Sequence, residues 1–328
     1  MAGRGTRLRP HTLTVPKPLV EIAGKSIVQR LVEDLAETYG QGIDEIAFIT
    51  GDFGHAVEQE LIELAERLGA KGFVHHQQEK LGTAHAILCA QDHLDGPVIV
   101  AFADTLFKSD FVLDTEQDSV RWVQQIDNPA AYGVVTLDDA GIVTGFVEKP
   151  KTFVSDLAIN GIYYFRQGED LREELQYLID HNIMDRGEYQ ITAALENMRQ
   201  KGAKFRTQAI QEWLDCGNKN AGVYATERIL EIKEDAATTA KTVTTENSTI
   251  IPPCFIDTDV VIKNSVIGPH VSIGRNTVVE NSIICKSIIQ DHAIVNNVET
   301  QNSMLGSHTE YIAKKSELSL SDFSKFKQ

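Results

Sequence analysis

The chain reads as an α/β protein, a doubly wound and mostly parallel sheet, followed by a short parallel β-helix. Three observations predict this. Strand and helix patterns alternate through the first hundred residues, the pattern turns strand-rich between residues 119 and 165, and beyond residue 250 apolar doublets recur about every six residues. Strands alternating with helices build parallel sheets, whereas a short repeat that cannot bury its own apolar face builds a stacked solenoid.

The elements follow in order. A glycine loop, Gly3 and Gly5, opens the chain. Ile27, Leu31 and Leu35 lie on one face of a helix over 25–38, and 45–50 is an apolar strand. Val57, Leu61, Leu64 and Leu68 repeat the helical spacing over 55–68; a strand at 72–76, a helix at 83–93 and a strand at 98–102 continue the alternation. The strand-rich stretch 119–165 is broken by turn signals at Asp127-Asn128-Pro129, Asp138-Asp139-Ala140-Gly141 and Lys149-Pro150, which fits the wall of a substrate pocket. Helices over 168–181 and 188–201, a strand over 205–210 and a helix over 218–233 complete a first domain, 1–234. Residues 235–249, rich in Ala and Thr, read as a linker. The β-helix occupies 250–312 with room for about three coils, and 313–328 is a polar tail.

Composition narrows the function. A chain of 328 residues with a net charge of −16 is a poor ligand for nucleic acid or anionic membranes, both of which reward basic surfaces. Cys89, Cys216, Cys254 and Cys285 form no CxxC pair, and no apolar run reaches membrane-spanning length, so the expectation is a cytoplasmic protein with reduced thiols. Small molecules and further copies of the chain are the expected partners, because so short a solenoid favours a homo-oligomer.

Against that acidic background, residues 1–25 carry Arg4, Arg7, Arg9, Lys17 and Lys25 with one acid, Glu21. Gly3 and Gly5 let backbone N–H groups approach phosphate oxygens, Arg7 offers a planar fork, and Lys17 a mobile point charge. The dinucleotide fingerprint fails, because Leu8 stands where a third glycine belongs, and no GxxxxGK string exists. The whole string, Gly3-x-Gly5-Thr6-Arg7-Leu8-Arg9-Pro10 followed by Pro16-Lys17-Pro18-Leu19, resembles the signature of the sugar-1-phosphate nucleotidylyltransferases.

That resemblance, over roughly residues 1–230, implies a Rossmann-like nucleotide-diphospho-sugar transferase fold, with a left-handed hexapeptide β-helix as in many relatives. In that family the glycine loop follows an apolar strand, so the first strand is expected to be truncated here. The resemblance wraps Ala2, Gly3, Gly5 and Thr6 around a triphosphate, sets Arg7 on the departing pyrophosphate and Lys17 near the α-phosphate. The segment Gln77-Gln78-Glu79-Lys80-Leu81-Gly82-Thr83-Ala84-His85-Ala86 is similar to the nucleobase segment. It implies Gln77 at the base edge, or Gln78 if the loop is shifted, with Gly82 beneath the base and Thr83 capping the next helix. Asp104 ends an apolar strand, where a carboxylate can reach a magnesium ion held by substrate phosphates. Trp213-Leu214-Asp215-Cys216-Gly217 resembles the segment that supplies a second metal ligand, Asp215. Tyr132-Gly133, Glu148, Lys149 and Asn160 correspond to the sugar-phosphate site, with Lys149 on the sugar's phosphate. His75, His76 and His85 lack metal-ligand spacing and read as ordinary strand and helix residues.

The implied reaction transfers a nucleotidyl group from an NTP, dTTP or UTP favoured, to a sugar-1-phosphate, glucose-1-phosphate favoured, with Mg2+ as cofactor and Arg7, Lys17 and Lys149 as catalytic cations. Two alternatives stand beside it. One is a non-catalytic regulatory subunit that binds nucleotide sugars. The other is a bifunctional enzyme whose β-helix transfers an acyl group, with His270, His292 and His308 available as bases.

Overall fold

The computed structural model describes residues 3, 5–233 and 235–314; Ala2 and most of the polar tail lie outside the described residues. The chain divides into two compact units. One comprises the amino-terminal residues up to Val20 together with Lys25–Asn218, and the other comprises Glu21–Gly24 together with the residues from Lys219 onward.

The first unit is the alternating part. After two short strands in the chain, β1 (Glu21–Ile22) and β2 (Lys25–Ser26), helix α1 (Ile27–Tyr39) starts at Ser26, whose hydroxyl accepts from the Gln29 N–H, and stops at left-handed Gly40. It buries Ile27, Leu31 and Leu35, the face the periodicity predicts. Strand β3 (Glu45–Thr50), helix α2 (His55–Arg67) and strand β4 (Lys71–His76) form one strand–helix–strand unit in which β3 and β4 pair in parallel from Glu45–Lys71 to Thr50–His76. A Cβ on Gly72 would lie 2.8 Å from the Ile62 Cα, so glycine lets α2 pack directly on β4.

Helix α3 (Thr83–Leu88) is shorter than the predicted 83–93, the remainder forming a 3-10 turn at Gln91–His93. Strands β5 (Val98–Ala101) and β6 (Thr105–Lys108) follow. The strand-rich insert supplies β7 (Ser119–Gln125), β8 (Gly133–Leu137), β9 (Val143–Glu148) and β10 (Leu157–Phe165). With β11 (Arg206–Ala209) they form a sheet ordered β11-β7-β10-β8-β9, joined by β5 on β10; β11 pairs β7 in parallel and the remaining pairs are antiparallel. The sheet is therefore mixed where the insert joins it. Helices α4 (Gly168–Asp180) and α5 (Ile191–Gln200) cover it through Leu171, Leu175, Leu178 and Leu195. A last ladder, β12 (Glu212–Asp215) against β6, is antiparallel.

Among the described residues β3 pairs only β4, and β5 only β10. Both line one cavity of about 570 Å3, walled by Leu31, Leu35, Phe48, Ile87, Val98 and Val100.

The second unit is a β-solenoid. One face stacks Thr244–Glu246, Val261–Lys263, Val278–Glu280, Ile294–Asn296 and Glu310–Ile312 in parallel, and two further ladders of four short strands close each coil. Among the described residues there are four coils and the first strand of a fifth, against the three expected. The first coil begins within residues 235–249, read as a linker; its opening strands Thr244–Glu246 and Thr249–Ile250 are exposed or only partly buried and mostly polar, which hides their periodicity. Ile256, Ile262, Ile267, Ile273, Val279 and Ile284 fill the interior with no exposed surface. Corners fall on residues with positive φ, Asn247, Asn264, Asn281 and Asn297 along one edge, a conformation asparagine adopts more readily than most residues.

Helix α6 (Lys219–Ile232) groups with the solenoid, not with the first unit as the sequence reading has it. Successive solenoid corners meet successive turns of the helix. His270 Nε2 lies 2.9 Å from Glu231, Lys286 Nζ 2.7 Å from Glu227, and Lys219 Nζ donates to the Asn302 carbonyl at 2.6 Å.

Candidate active site

The glycine loop is shaped around Lys17. Gly5 is left-handed, and a Cβ there would lie 2.9 Å from the Lys17 Cβ, so only glycine permits this approach. Thr12 Oγ1 donates to the Gly5 carbonyl at 2.7 Å, and buried Leu8 anchors the 3-10 turn Thr6–Leu8. Gly3 is exposed, and a Cβ there would meet no described residue within 4 Å beyond its chain neighbours. Prolines 16 and 18 bracket Lys17, which is 7 % exposed and whose Nζ donates to Asp104 Oδ2 at 3.0 Å.

The β6–β12 ladder brings the two predicted metal ligands to one end. Asp215 stands opposite Thr105, and the Cys216 N–H donates to the Asp104 carbonyl at 3.1 Å. Gly217 keeps this corner open. A Cβ there would lie 2.8 and 2.9 Å from the Asp215 carboxylate oxygens and 3.2 Å from Arg7 Nη2, so guanidinium and carboxylate converge on the same point. Tyr132 packs its ring on Trp213 at 4.7 Å. Burial raises the pKa of its phenol, the charges of Asp215 and Asp104 add to the shift, and Arg7 opposes it. Arg7, Asp104, Asp215 and Tyr132 thus share one electrostatic environment. Burial pushes the neighbouring Cys216 thiol up to about 12, which leaves it neutral and unsuited to nucleophilic attack.

Paired carboxylates offering only oxygen, held by a rigid ladder beside lysine and arginine, fit a hard divalent cation bound jointly by protein and phosphate.

The predicted sugar-phosphate residues also assemble. Gly133 pairs with Glu148 across β8 and β9, and a Cβ on Gly133 would lie 3.1 Å from Glu148 Oε2. Lys149 adopts a positive φ of 42°, its N–H donates to the Tyr132 carbonyl at 3.0 Å, and its Nζ lies 3.4 Å from Glu148 Oε1. Asn160 is 2 % exposed; its Oδ1 accepts from the Ile162 N–H, while its Nδ2 is buried with no partner among the described residues. A buried donor left unmade is costly, so this atom is poised for an acceptor on a ligand. Left-handed Gly161 lies within the β10 register shift and carries the carbonyl that accepts from the Phe102 N–H.

The nucleobase segment follows β4. Gln77 is buried and Gln78 exposed, which separates the two candidates. The Gln77 N–H donates to the Thr50 carbonyl, and its Nε2 donates to the Gly82 carbonyl at 3.0 Å. Gly82 has φ 107°, and a Cβ there would lie 2.4 Å from the Tyr189 carbonyl oxygen. Thr83 does not cap α3 as expected. Its hydroxyl donates to Gln190 Oε1 and accepts from the Ile191 N–H, serving the start of α5 instead.

Sequence reasoning missed the segment 186–192, which ties the two halves of the site together. Gln190 holds Thr83, Thr192 Oγ1 donates to Glu148 Oε2 at 3.1 Å, and Arg186 Nη2 donates to the Lys149 carbonyl at 3.0 Å. Its one visible signal is polar density, Arg186, Glu188, Gln190 and Thr192, at the mouth of a helix.

The nucleotidyl transferase family profile matches residues 1–232. A low-salt glycan biosynthesis nucleotidyltransferase of Haloferax volcanii is 32% identical over 240 residues, 70% of this chain and 65% of that protein. A glucose-1-phosphate thymidylyltransferase of Streptomyces antibioticus is 32% identical over 225 residues, 66% of this chain and 61% of its own length. The catalytic subunit beta of mannose-1-phosphate guanylyltransferase of Danio rerio is 37% identical over 175 residues, half of this chain and 48% of that protein. The chain thus spans less than two thirds of each of these relatives. Among solved structures, a nucleoside-diphosphate-sugar pyrophosphorylase of Vibrio cholerae shares the fold with TM-score 0.59 at 23% identity, covering 69% of this chain and 97% of that one. With a family profile that matches residues 1–232, most of its length, the chain belongs to the nucleotidyl transferase family.

Proposed function

We propose that the protein transfers a nucleotidyl group from an NTP to a sugar-1-phosphate, releasing pyrophosphate. The observation that carries this reading is the joining of Lys17, Asp104, Asp215 and Arg7 at one corner, next to the Glu148–Lys149 pair. In this reading Gly3, Gly5 and Thr6 cradle the triphosphate, Arg7 meets the departing pyrophosphate, and Lys17 neutralises charge growing at the α-phosphate. Lys149 holds the sugar phosphate, whose oxygen is already ionised at neutral pH and attacks the α-phosphorus in line. No general base is required. The bond from the α-phosphorus to the pyrophosphate oxygen breaks as the new phosphorus–oxygen bond forms, so the protein's task is positioning and charge neutralisation.

Asp104 and Asp215 would hold Mg2+. When bound, that ion supplies Lewis-acid neutralisation of the phosphate oxygens. The ammonium of Lys17 on Asp104 holds the carboxylate in place and lies ready to turn to phosphate.

The finer reading is dTTP or UTP with glucose-1-phosphate, supported by similarity to the Streptomyces thymidylyltransferase; the guanylyltransferase similarity keeps GTP with mannose-1-phosphate in the test. Five NTPs are incubated with glucose-, mannose- and N-acetylglucosamine-1-phosphate, and products are read by mass spectrometry. A nucleotide sugar in one column supports the reading. No nucleotide sugar anywhere, with nucleotide sugars still bound, favours the regulatory alternative. The reading carries with it a cytoplasmic site of action and a homo-oligomer, which light scattering reads directly. No helix among the described residues is long and apolar enough to cross a membrane.

A further inference from the structure

His85, which sequence reasoning leaves as an ordinary helix residue, bonds to the residue placed at the nucleobase. The inference rests on the nucleotidyl-transfer reading only in taking Gln77 as that residue.

A primary amide carries two hydrogens and one acceptor oxygen. Gln77 Nε2 donates one hydrogen to the Gly82 carbonyl at 3.0 Å and lies 3.2 Å from His85 Nδ1, which takes the other. The reverse orientation would set the amide oxygen against the Gly82 carbonyl, acceptor facing acceptor. That carbonyl cannot swing away. The Leu81 carbonyl accepts from the Tyr189 N–H at 2.7 Å, the Tyr189 carbonyl accepts from the Ala84 N–H at 2.9 Å, and Gly82 lies so close to Tyr189 that it has no room for a Cβ. His85 Nδ1 can accept only in the tautomer protonated at Nε2. With both hydrogens engaged, Gln77 has one group left, Oε1, which bonds to no other described residue.

We propose that His85 is a positioning residue that takes the second amide hydrogen of Gln77 out of play, so that Gln77 reads the nucleobase as a pure hydrogen-bond acceptor. Such a reader takes bases whose ring edge presents N–H beside a carbonyl: uracil, thymine and guanine. At that ring position cytosine and adenine present an acceptor instead, so they can meet the Gln77 oxygen only through the exocyclic amino group in a shifted register, which disfavours them. Without His85, one amide hydrogen is free to turn toward such an acceptor, and the discrimination relaxes.

The test is calorimetric binding of UTP, dTTP, GTP, CTP and ATP to the full chain with Mg2+, in wild type, His85→Phe and His85→Gln. Wild type is expected to bind at least one of UTP, dTTP and GTP about a hundredfold more tightly than CTP and ATP, the scale of leaving buried polar groups mismatched. His85→Phe keeps ring volume but offers no acceptor; its preference should fall about tenfold with Tm unchanged. His85→Gln offers a side-chain oxygen to the same amide and should restore it. Wild type preferring CTP or ATP, an unchanged preference in His85→Phe, or no binding of any nucleotide would overturn the proposal. Base-selective binding without pyrophosphate release would instead overturn the transfer reading and leave the role of His85 standing.

Discussion

Lys17 Nζ lies 3.0 Å from Asp104 Oδ2, joining residues 87 positions apart. The lysine is 7 % exposed and held between two prolines, whereas the Asp104 side chain is about half open to solvent. The pair is therefore asymmetric. A fixed cation presents an accessible carboxylate, the arrangement expected where a metal and a phosphate must both find a partner.

From this follows the effect of Asp104→Asn. The amide keeps the shape and loses the charge, so pyrophosphate release should fall by about 10²- to 10³-fold with Tm little changed. Turnover within a factor of three of wild type would remove Asp104 from the site.

Gly217→Ala tests the convergence of Arg7 and Asp215. The added methyl would stand 2.8 Å from a carboxylate oxygen, forcing the side chain aside. Misplacing a reacting group by about 1 Å costs on the order of a hundredfold, so kcat/KM should drop by about that factor. The concentration of Mg2+ giving half-maximal rate should rise with it; an unchanged metal dependence would contradict the assignment of Asp215.

Lys149→Ala separates the two phosphates. Losing a charge-assisted contact should raise KM for the sugar-1-phosphate by about ten- to a hundredfold while leaving nucleotide affinity within a factor of two. Loss of nucleotide binding alone would exchange the two phosphate sites.

Stability should fall on acidification below neutrality. Burial lowers the pKa of His11, of His75, with the His93 charge adding to it, and of His270. A histidine whose folded pKa lies below its unfolded value of about 6.5 binds protons more readily unfolded, so its stabilising contribution is present above that pH and lost as pH falls through the folded pKa. Tm at pH 5.5 should be lower than at pH 7.5; an equal or higher value would contradict the burial assigned to these rings.

Much of this was legible in the sequence because local patterns and burial agree. Ile27, Leu31 and Leu35 face inward as their spacing predicts, and Lys17, Asp104 and Asp215 meet as the motifs imply. What escaped depends on distant partners. Helix α6 reads like any amphipathic helix, and only His270 and Lys286, 39 and more residues further along, show that it docks on the solenoid. Residues 244–250 lack apolar periodicity because these strands of the first coil are exposed or only partly buried, and Thr83 stands nearest α3 in sequence although its hydroxyl meets Gln190, 107 residues away. His85 carries no signal, since its partner is set by the Gly82 turn.

The measurement that bears most directly on the central claim is pyrophosphate release by the full chain with Mg2+, across dTTP, UTP, GTP, ATP and CTP against several sugar-1-phosphates. The account predicts release that requires both substrates and the metal, concentrated in the uracil, thymine and guanine columns. No release in any combination, or release that does not depend on the sugar-1-phosphate, would contradict it.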